Sequence, residues 1–232
     1  MDRRPAVIVF ARAPRPGAAK TRLIPALGPE RAAMLYQCFL LDVLATVEAL
    51  DAAVIAAAAG PEEASHVAEL AAQTCPRAEV TVQVGADLGQ RIDAAVGAAL
   101  ALGHSPAVVL GSDAPTLPGE LIAQAIELAR RHDLVLGPSF DGGYYLVGLR
   151  APAAGLFSNI SWSTGDVLSQ TLDRAKRMGL SAALLEPWYD VDTPEDLRLL
   201  REHLWHEVAS SHSIACPRTW DYLCDLSEGD EG

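Results

Sequence analysis

Short aliphatic runs separated by long amphipathic stretches restrict this chain to very few architectures. Val7-Ile8-Val9-Phe10-Ala11, Ala53 to Ala59, Val108-Val109-Leu110 and the Leu-Val-Leu core of Asp133 to Gly137 are short and apolar without alternation. Strands of that kind are buried on both faces, as parallel strands covered by helices are. The stretches between them have helical patterning. Pro29 to Leu50 opens with Pro-Glu and carries an apolar face through Leu35, Phe39, Val43 and Val47. Pro61 to Thr74 starts with Glu62-Glu63, and Pro118 to Arg131 ends on Arg130-Arg131, charges that suit the two ends of a helix dipole. Glu79 to Val84 alternates like a strand, and a helix follows Asp87 to about Leu102. At least four β-α units in succession predict an α/β protein with a mostly parallel central sheet and helices on both faces.

After Gly137 the pattern changes. Pro138 to Gly143 ends in a two-glycine turn that feeds an aromatic strand, Tyr144 to Leu149. A helix running to about Gly179 is expected to be capped by Ser163 or Thr164, with Asp166 near its positive end. Trp162, just before it, reads as a core anchor rather than a stacking platform. Ser181 to Leu185 is a further strand, and Thr193 with Pro194 opens the last patterned helix. The reading is one domain over residues 1–208. Beyond it, Ser210 to Ser213 and the acidic end from Glu228 to Gly232 predict a loosely ordered tail over 209–232.

The formal charge of −12 argues against a nucleic-acid partner. No apolar run approaches the ~18 residues that would span a bilayer, so no membrane partner is expected. The first residues run straight into a strand with no small-residue cleavage site, which predicts a cytoplasmic protein. The four cysteines, Cys38, Cys75, Cys216 and Cys224, lack zinc-knuckle spacing. Cys38 reads as a small core residue, and a Cys216–Cys224 disulfide is disfavoured in that setting.

Three stretches carry chemistry. In the first, the loop after Ala11, Arg12, Arg15, Lys20 and Arg22 gather 4 of the 18 lysines and arginines, with Pro14, Pro16 and Gly17 excluding regular structure. Basic loops at a strand's carboxyl end wrap phosphates, although this spacing is not that of a Walker loop. In the second, Val108-Val109-Leu110 runs into Gly111-Ser112-Asp113-Ala114-Pro115, placing a carboxylate where open α/β sheets bind ligands. Asp113 taken alone fits a turn former equally well. In the third, Asp190-Val191-Asp192-Thr193-Pro194-Glu195-Asp196 holds one acid more than helix capping requires. Carboxylates hold Mg²⁺ or Mn²⁺, the metal holds a diphosphate or triphosphate, and nearby cations complete the neutralisation. Arg91 and Ser112 are further phosphate candidates. Asp141 either satisfies its turn or faces an acceptor.

Arg12-Ala13-Pro14 with Lys20-Thr21-Arg22-Leu23, Gly111-Ser112-Asp113-Ala114-Pro115, Asp141-Gly142-Gly143-Tyr144-Tyr145-Leu146 and Asp190-Val191-Asp192-Thr193-Pro194-Glu195-Asp196-Leu197 together resemble the DUF2064 family. Its members are labelled nucleotide-diphospho-sugar transferases or radical-SAM- and arsenosugar-associated glycosyltransferases, within the glycosyltransferase-A superfamily. The resemblance implies a Rossmann-like glycosyltransferase-A fold that binds a nucleotide across the sheet's carboxyl edge with Mg²⁺ or Mn²⁺. It places Asp113 at the superfamily's metal-binding acid, and Asp192, with Asp190 beside it, at the second acid of CMP-sugar synthetases. Lys20 and Arg22 match the Lys-Thr-Arg-Leu or Lys-Ser-Arg-Leu loop of phospholactate guanylyltransferases. The superfamily's Asp-x-Asp is reduced here to the single carboxylate of Gly111-Ser112-Asp113.

The expected partners are therefore a nucleotide-sugar or an NTP, and a small-molecule acceptor. In one reading an acceptor hydroxyl attacks a nucleotide-diphospho-sugar, with Asp113 and Lys20 catalytic and Asp141 as base. In the alternative an acceptor phosphate or phosphonate attacks an NTP and releases pyrophosphate, which needs no base. A regulatory protein that binds nucleotide without turnover is a third reading, disfavoured by the retained acids.

Overall fold

The computed structural model describes residues 3–210 and 214–229. In chain order the strands are β1 (Ala6–Ala11), β2 (Ala53–Ala58), β3 (Glu79–Val82), β4 (Ala107–Leu110), β5 (Leu134–Pro138), β6 (Tyr144–Leu149) and β7 (Ala182–Leu184). The helices are α1 (Ile24–Leu27), α2 (Pro29–Glu48), α3 (Ala64–Thr74), α4 (Leu88–Ala101), α5 (Gly119–Ala129), α6 (Val167–Arg177), α7 (Pro194–Ser210) and α8 (Pro217–Gly229). None of these helices is long and apolar enough to cross a membrane.

The strands form one sheet in the order β3-β2-β1-β4-β6-β5-β7. All neighbours are parallel except β6, which is antiparallel to β4 and β5 because the turn at 141–143 makes β5 and β6 a hairpin. The apolar runs are continuous because both sheet faces are covered. Along β1, Val7, Val9 and Ala11 enter the core shared with α2, α3 and α5, while Ala6 and Ile8 enter the core shared with α4 and α6. Fully burying one such aliphatic side chain contributes about 1.5–3 kcal/mol, so two dry faces account for most of the sheet's hold.

The chain winds outward from β1 to β3 and then crosses back to place β4 on β1's other side. That reversal opens a crevice at the carboxyl ends of β1 and β4, the place where open α/β sheets bind ligands. It sets the basic loop after β1 beside Gly111-Ser112-Asp113 after β4.

Several local expectations are corrected. The basic loop ends in a single 3-10 turn, Thr21–Leu23, and α1, because Leu23 is needed in the core. The helix α6 starts at Val167 with Asp166 as its N-cap residue, and neither Ser163 nor Thr164 caps it. Thr164 Oγ1 instead donates to the Ser161 carbonyl, and α6 is anchored by Leu168 N–H donating to the Gly142 carbonyl. Gly142 has φ +86°, and a Cβ there would lie 2.1 Å from the Gly165 carbonyl oxygen, so only glycine permits this crossing.

The largest departure lies at the C-terminal end, where a loose tail was expected from 209. Residues 217–229 form α8, which buries Leu223 and Leu226 with Leu23, Leu35 and Phe39. The fully buried Asp42 carboxylate of α2 accepts from Arg218 N–H at 3.3 Å, Thr219 N–H at 2.8 Å and the Arg218 guanidinium at 3.3 Å. An acid from another helix therefore does the capping that α8's own residues do not advertise. Ser211 to Ser213 and 230–232, also assigned to the tail, lie outside the described residues. None of the four cysteines forms a disulfide.

Candidate functional site

A cleft of about 610 Å³ opens at the β1–β4 crevice, a size suited to a nucleotide-scale ligand. Of the residues singled out from sequence, Arg12, Lys20, Arg22, Arg91, Ser112, Asp113, Asp190 and Asp192 line it. Arg15 and Asp141 do not.

The centre of the cleft is an ionic triad. Lys20 Nζ lies 2.5 Å from Asp113 Oδ1 and 2.9 Å from Asp192 Oδ1. The lysine side chain is 2% exposed, whereas the two carboxylates are 44% and 49% exposed toward the cleft. Burial alone would lower the lysine's proton affinity, but Asp113 and then Asp192 outweigh it and hold it above its ordinary value. Lys20 is therefore a fixed positive charge. Its Nζ also lies 6.0 Å from the centre of the Tyr36 ring and 5.5 Å from that of Phe39, both on α2.

The backbone brings the two acids together. Val191 N–H donates to the Asp113 carbonyl at 2.9 Å, stitching the loop after β4 to the loop before α7. Helix capping there is done by Thr193 and Asp196: Asp196 Oδ2 accepts from Asp192 N–H, Thr193 N–H and Thr193 Oγ1, while Asp196 N–H donates to Thr193 Oγ1. The Asp192 side chain is thereby left for Lys20.

Asp190, half-buried on the same loop, is pushed up from 3.8 to about 7 by burial and then by Asp113 and Asp192, with Lys20 offsetting part of the effect. A carboxyl raised in the folded chain keeps its proton longer folded than unfolded. Its contribution to stability is full below its ordinary value and is lost as pH rises through about 7. Asp190→Asn is expected to exceed wild type by about 2 kcal/mol at pH 8 in chelator-containing buffer, allowing for solvent screening, and to converge with it by pH 4. Urea unfolding at both pH values checks this. Equal stability at pH 8 rules out charge crowding at Asp190.

The Ser112 hydroxyl serves as a strut. The hydroxyls form a one-way chain: Arg12 N–H donates to Tyr36 OH at 2.9 Å, Tyr36 OH reaches Ser112 Oγ at 2.7 Å, and Ser112 Oγ donates to the Phe10 carbonyl at 3.1 Å. Ser112 is buried and its hydroxyl proton is committed to the Phe10 carbonyl, so a phosphate reaching it would meet its main-chain N–H rather than its hydroxyl. Burial pushes the Tyr36 phenol up to about 12, so it stays a neutral donor. Nothing in the sequence singled out Tyr36. It sits among the apolar residues of α2, and only its buried hydroxyl marks it as a fixture of the site. Tyr36→Phe leaves the Arg12 N–H without this acceptor and is expected to cost about 1–2 kcal/mol in chemical denaturation.

The other candidates divide. Arg15 donates to the Glu62 carbonyl at 2.7 Å and Ala13 N–H to Glu63 Oε2 at 2.8 Å, so both tie the loop down, and Arg15 does not line the cleft. Arg12 and Arg22 are exposed along the cleft. Arg91, in the first turn of α4, donates to the Gly85 carbonyl and weakly to Gln83 Oε1. Asp141 accepts from Gly143 N–H at 2.9 Å and from Ser139 Oγ, so it satisfies its own turn. Its charge also adds to what raises Asp190.

Fold and cleft together define a nucleotide-binding-type α/β protein with an acid–lysine–acid centre. A family model described as an uncharacterized protein conserved in bacteria (DUF2064) matches residues 40–164, and the chain belongs to that family. A crystal structure from Desulfovibrio desulfuricans G20, described provisionally as a nucleotide-diphospho-sugar transferase, is 32% identical. It covers 97% of this chain and 95% of its own, with a TM-score of 0.84. The fold is also that of a cytidylyltransferase from Leptospira borgpetersenii serovar Hardjo-bovis, at 14% identity, 100% and 96% coverage and a TM-score of 0.56. A CMP:2-keto-3-deoxy-manno-octonic acid synthetase in complex with CTP gives 14%, 88% and 99%, and 0.54. No curated protein matches the sequence.

Proposed function

We propose that this protein is a divalent-metal-dependent transferase acting on a nucleotide-activated substrate, moving a glycosyl group from a nucleotide-diphospho-sugar to a small-molecule acceptor. The observation that carries the reading is the convergence of Asp113 and Asp192 on one buried lysine at the crevice between β1 and β4. The Desulfovibrio protein's description supports the substrate class.

Among the described residues, no three His, Cys, Asp or Glu side chains are placed to hold an ion by themselves. The donor set still fits Mg²⁺ or Mn²⁺ carried in on a diphosphate, because Mg²⁺ is usually held by one or two carboxylates together with substrate phosphates and water. Asp113 and Asp192 would hold it, each about half exposed toward the cleft. Once bound, the metal supplies positive charge to the departing diphosphate. Lys20 supplies a second, fixed charge from the buried side, and Arg12 and Arg22 from the open side. Arg91 also lines the cleft, where it could meet a phosphate or the base.

Nucleotidyl transfer from an NTP to an acceptor phosphate is the second reading. It is favoured by one observation: Asp141, the base that glycosyl transfer would recruit, is engaged in its own turn. Incubation with NTPs or NDP-sugars, Mg²⁺ or Mn²⁺ and a panel of acceptors separates the two. Acceptor-dependent NDP release supports glycosyl transfer, and acceptor-dependent pyrophosphate release excludes it. Tight nucleotide binding with no turnover across the panel would exclude both.

A further inference from the structure

We propose that Lys20 is a resident counter-ion reserving the space between Asp113 and Asp192, so that a divalent cation enters only together with a diphosphate group. The inference rests on the metal-dependent reading above and adds an order of binding to it. Both acids are already answered by one ammonium, at 2.5 Å and 2.9 Å, on a side chain almost wholly withdrawn from water. A metal ion arriving alone must displace that ammonium and leave it against the rings of Tyr36 and Phe39, a poor exchange for two carboxylates. A metal ion arriving with a diphosphate brings new oxygen acceptors for the lysine. The exchange then keeps every charge partnered.

The backbone points the same way independently. Lys20 has φ 48° and ψ 47°, a left-handed conformation that costs a non-glycine residue about 1–2 kcal/mol. It is one of three such non-glycine residues among those described. The loop is tied down before it by Arg15 and Ala13 and after it by buried Leu23. Gly17, between these ties, has φ +80° and nothing within 4 Å of where a Cβ would stand. The two ion pairs accompany a residue held in a strained conformation, and exchanging carboxylate for phosphate is what would let it relax.

Equilibrium dialysis of the full-length protein against Mn²⁺, with and without inorganic pyrophosphate, tests this. Wild type is expected to take up Mn²⁺ weakly alone and at least about tenfold more tightly with pyrophosphate, and pyrophosphate reciprocally with Mn²⁺. Lys20→Met, or Lys20→Gln should the first not fold, is expected to bind Mn²⁺ alone about tenfold more tightly than wild type and to lose the pyrophosphate dependence. Adding Asp113→Asn to either variant should remove the gained site. Wild type that binds Mn²⁺ equally well with and without pyrophosphate overturns the counter-ion role. So do variants that gain no Mn²⁺ affinity while wild type still recruits the metal with pyrophosphate, and in both cases the metal-dependent reading stands. Wild type that takes up no Mn²⁺ under either condition overturns both.

Discussion

Replacing Asp113 by Asn is expected to lower metal-dependent turnover by about 10³-fold while leaving the fold intact. The carboxylate is half exposed, and it is the Asp113 main-chain carbonyl that joins the two loops. Asp192 still faces Lys20, so the fold is expected to survive with a moderate loss of stability. What is lost is one of two oxygen donors for the metal, along with the partner that does most to hold Lys20 charged. Asp192→Asn should fall in the same range. Asp141→Asn, at the turn, should change turnover by less than about tenfold, since an amide still accepts from Gly143 N–H. The check is initial rate of NDP or pyrophosphate release with saturating Mg²⁺, beside a thermal melt of each variant. Asp113→Asn turning over within tenfold of wild type excludes the two-acid centre, and an inactive Asp141→Asn would restore that residue as a base.

Asp42→Ala should be the most destabilising single change, by about 3 kcal/mol, equivalent to a fall in Tm of roughly 6–12 °C for a chain of this size. The substitution leaves two main-chain N–H groups at the start of α8 without their acceptor. It also strands the Arg218 guanidinium. Burial raises the Asp42 carboxyl above its ordinary value against the pull of the Thr219 and Arg218 hydrogen bonds, so its worth lies in accepting those bonds more than in its charge. Asp42→Asn keeps an acceptor and should lose half as much or less. Denaturant melts of the three proteins decide it. If Asp42→Ala melts within 2 °C of wild type, α8 is held by its apolar face alone.

The pattern that made the sheet legible was local: continuous apolar runs with capped helices between them, which placed all seven strands to within about two residues at each end. The antiparallel β6 was not legible as such, because strand direction is set by the turn at 141–143 and by pairing partners distant in sequence. The helix α8 was missed for a related reason. Its first turn shows no capping residue of its own, since the cap is Asp42, and its apolar positions have meaning only against Leu23, Leu35 and Phe39. The site was more than half legible. Charge type and strand-end position found Lys20, Asp113 and Asp192, but only coordinates assign Arg15 and Ser112 to holding the loop and bring in Tyr36.

The hydrogen bond from Val191 to the Asp113 carbonyl has a thermodynamic meaning for ligand binding. Two segments far apart in the chain meet in the cleft, and the entropy of closing that long loop is spent when the protein folds. Because the tie runs main chain to main chain, the two loops that carry the acids stay joined whatever occupies the cleft. A nucleotide arriving there does not have to bring the two loops together, so its binding energy is left for exchanging Lys20's partners and holding the reacting groups.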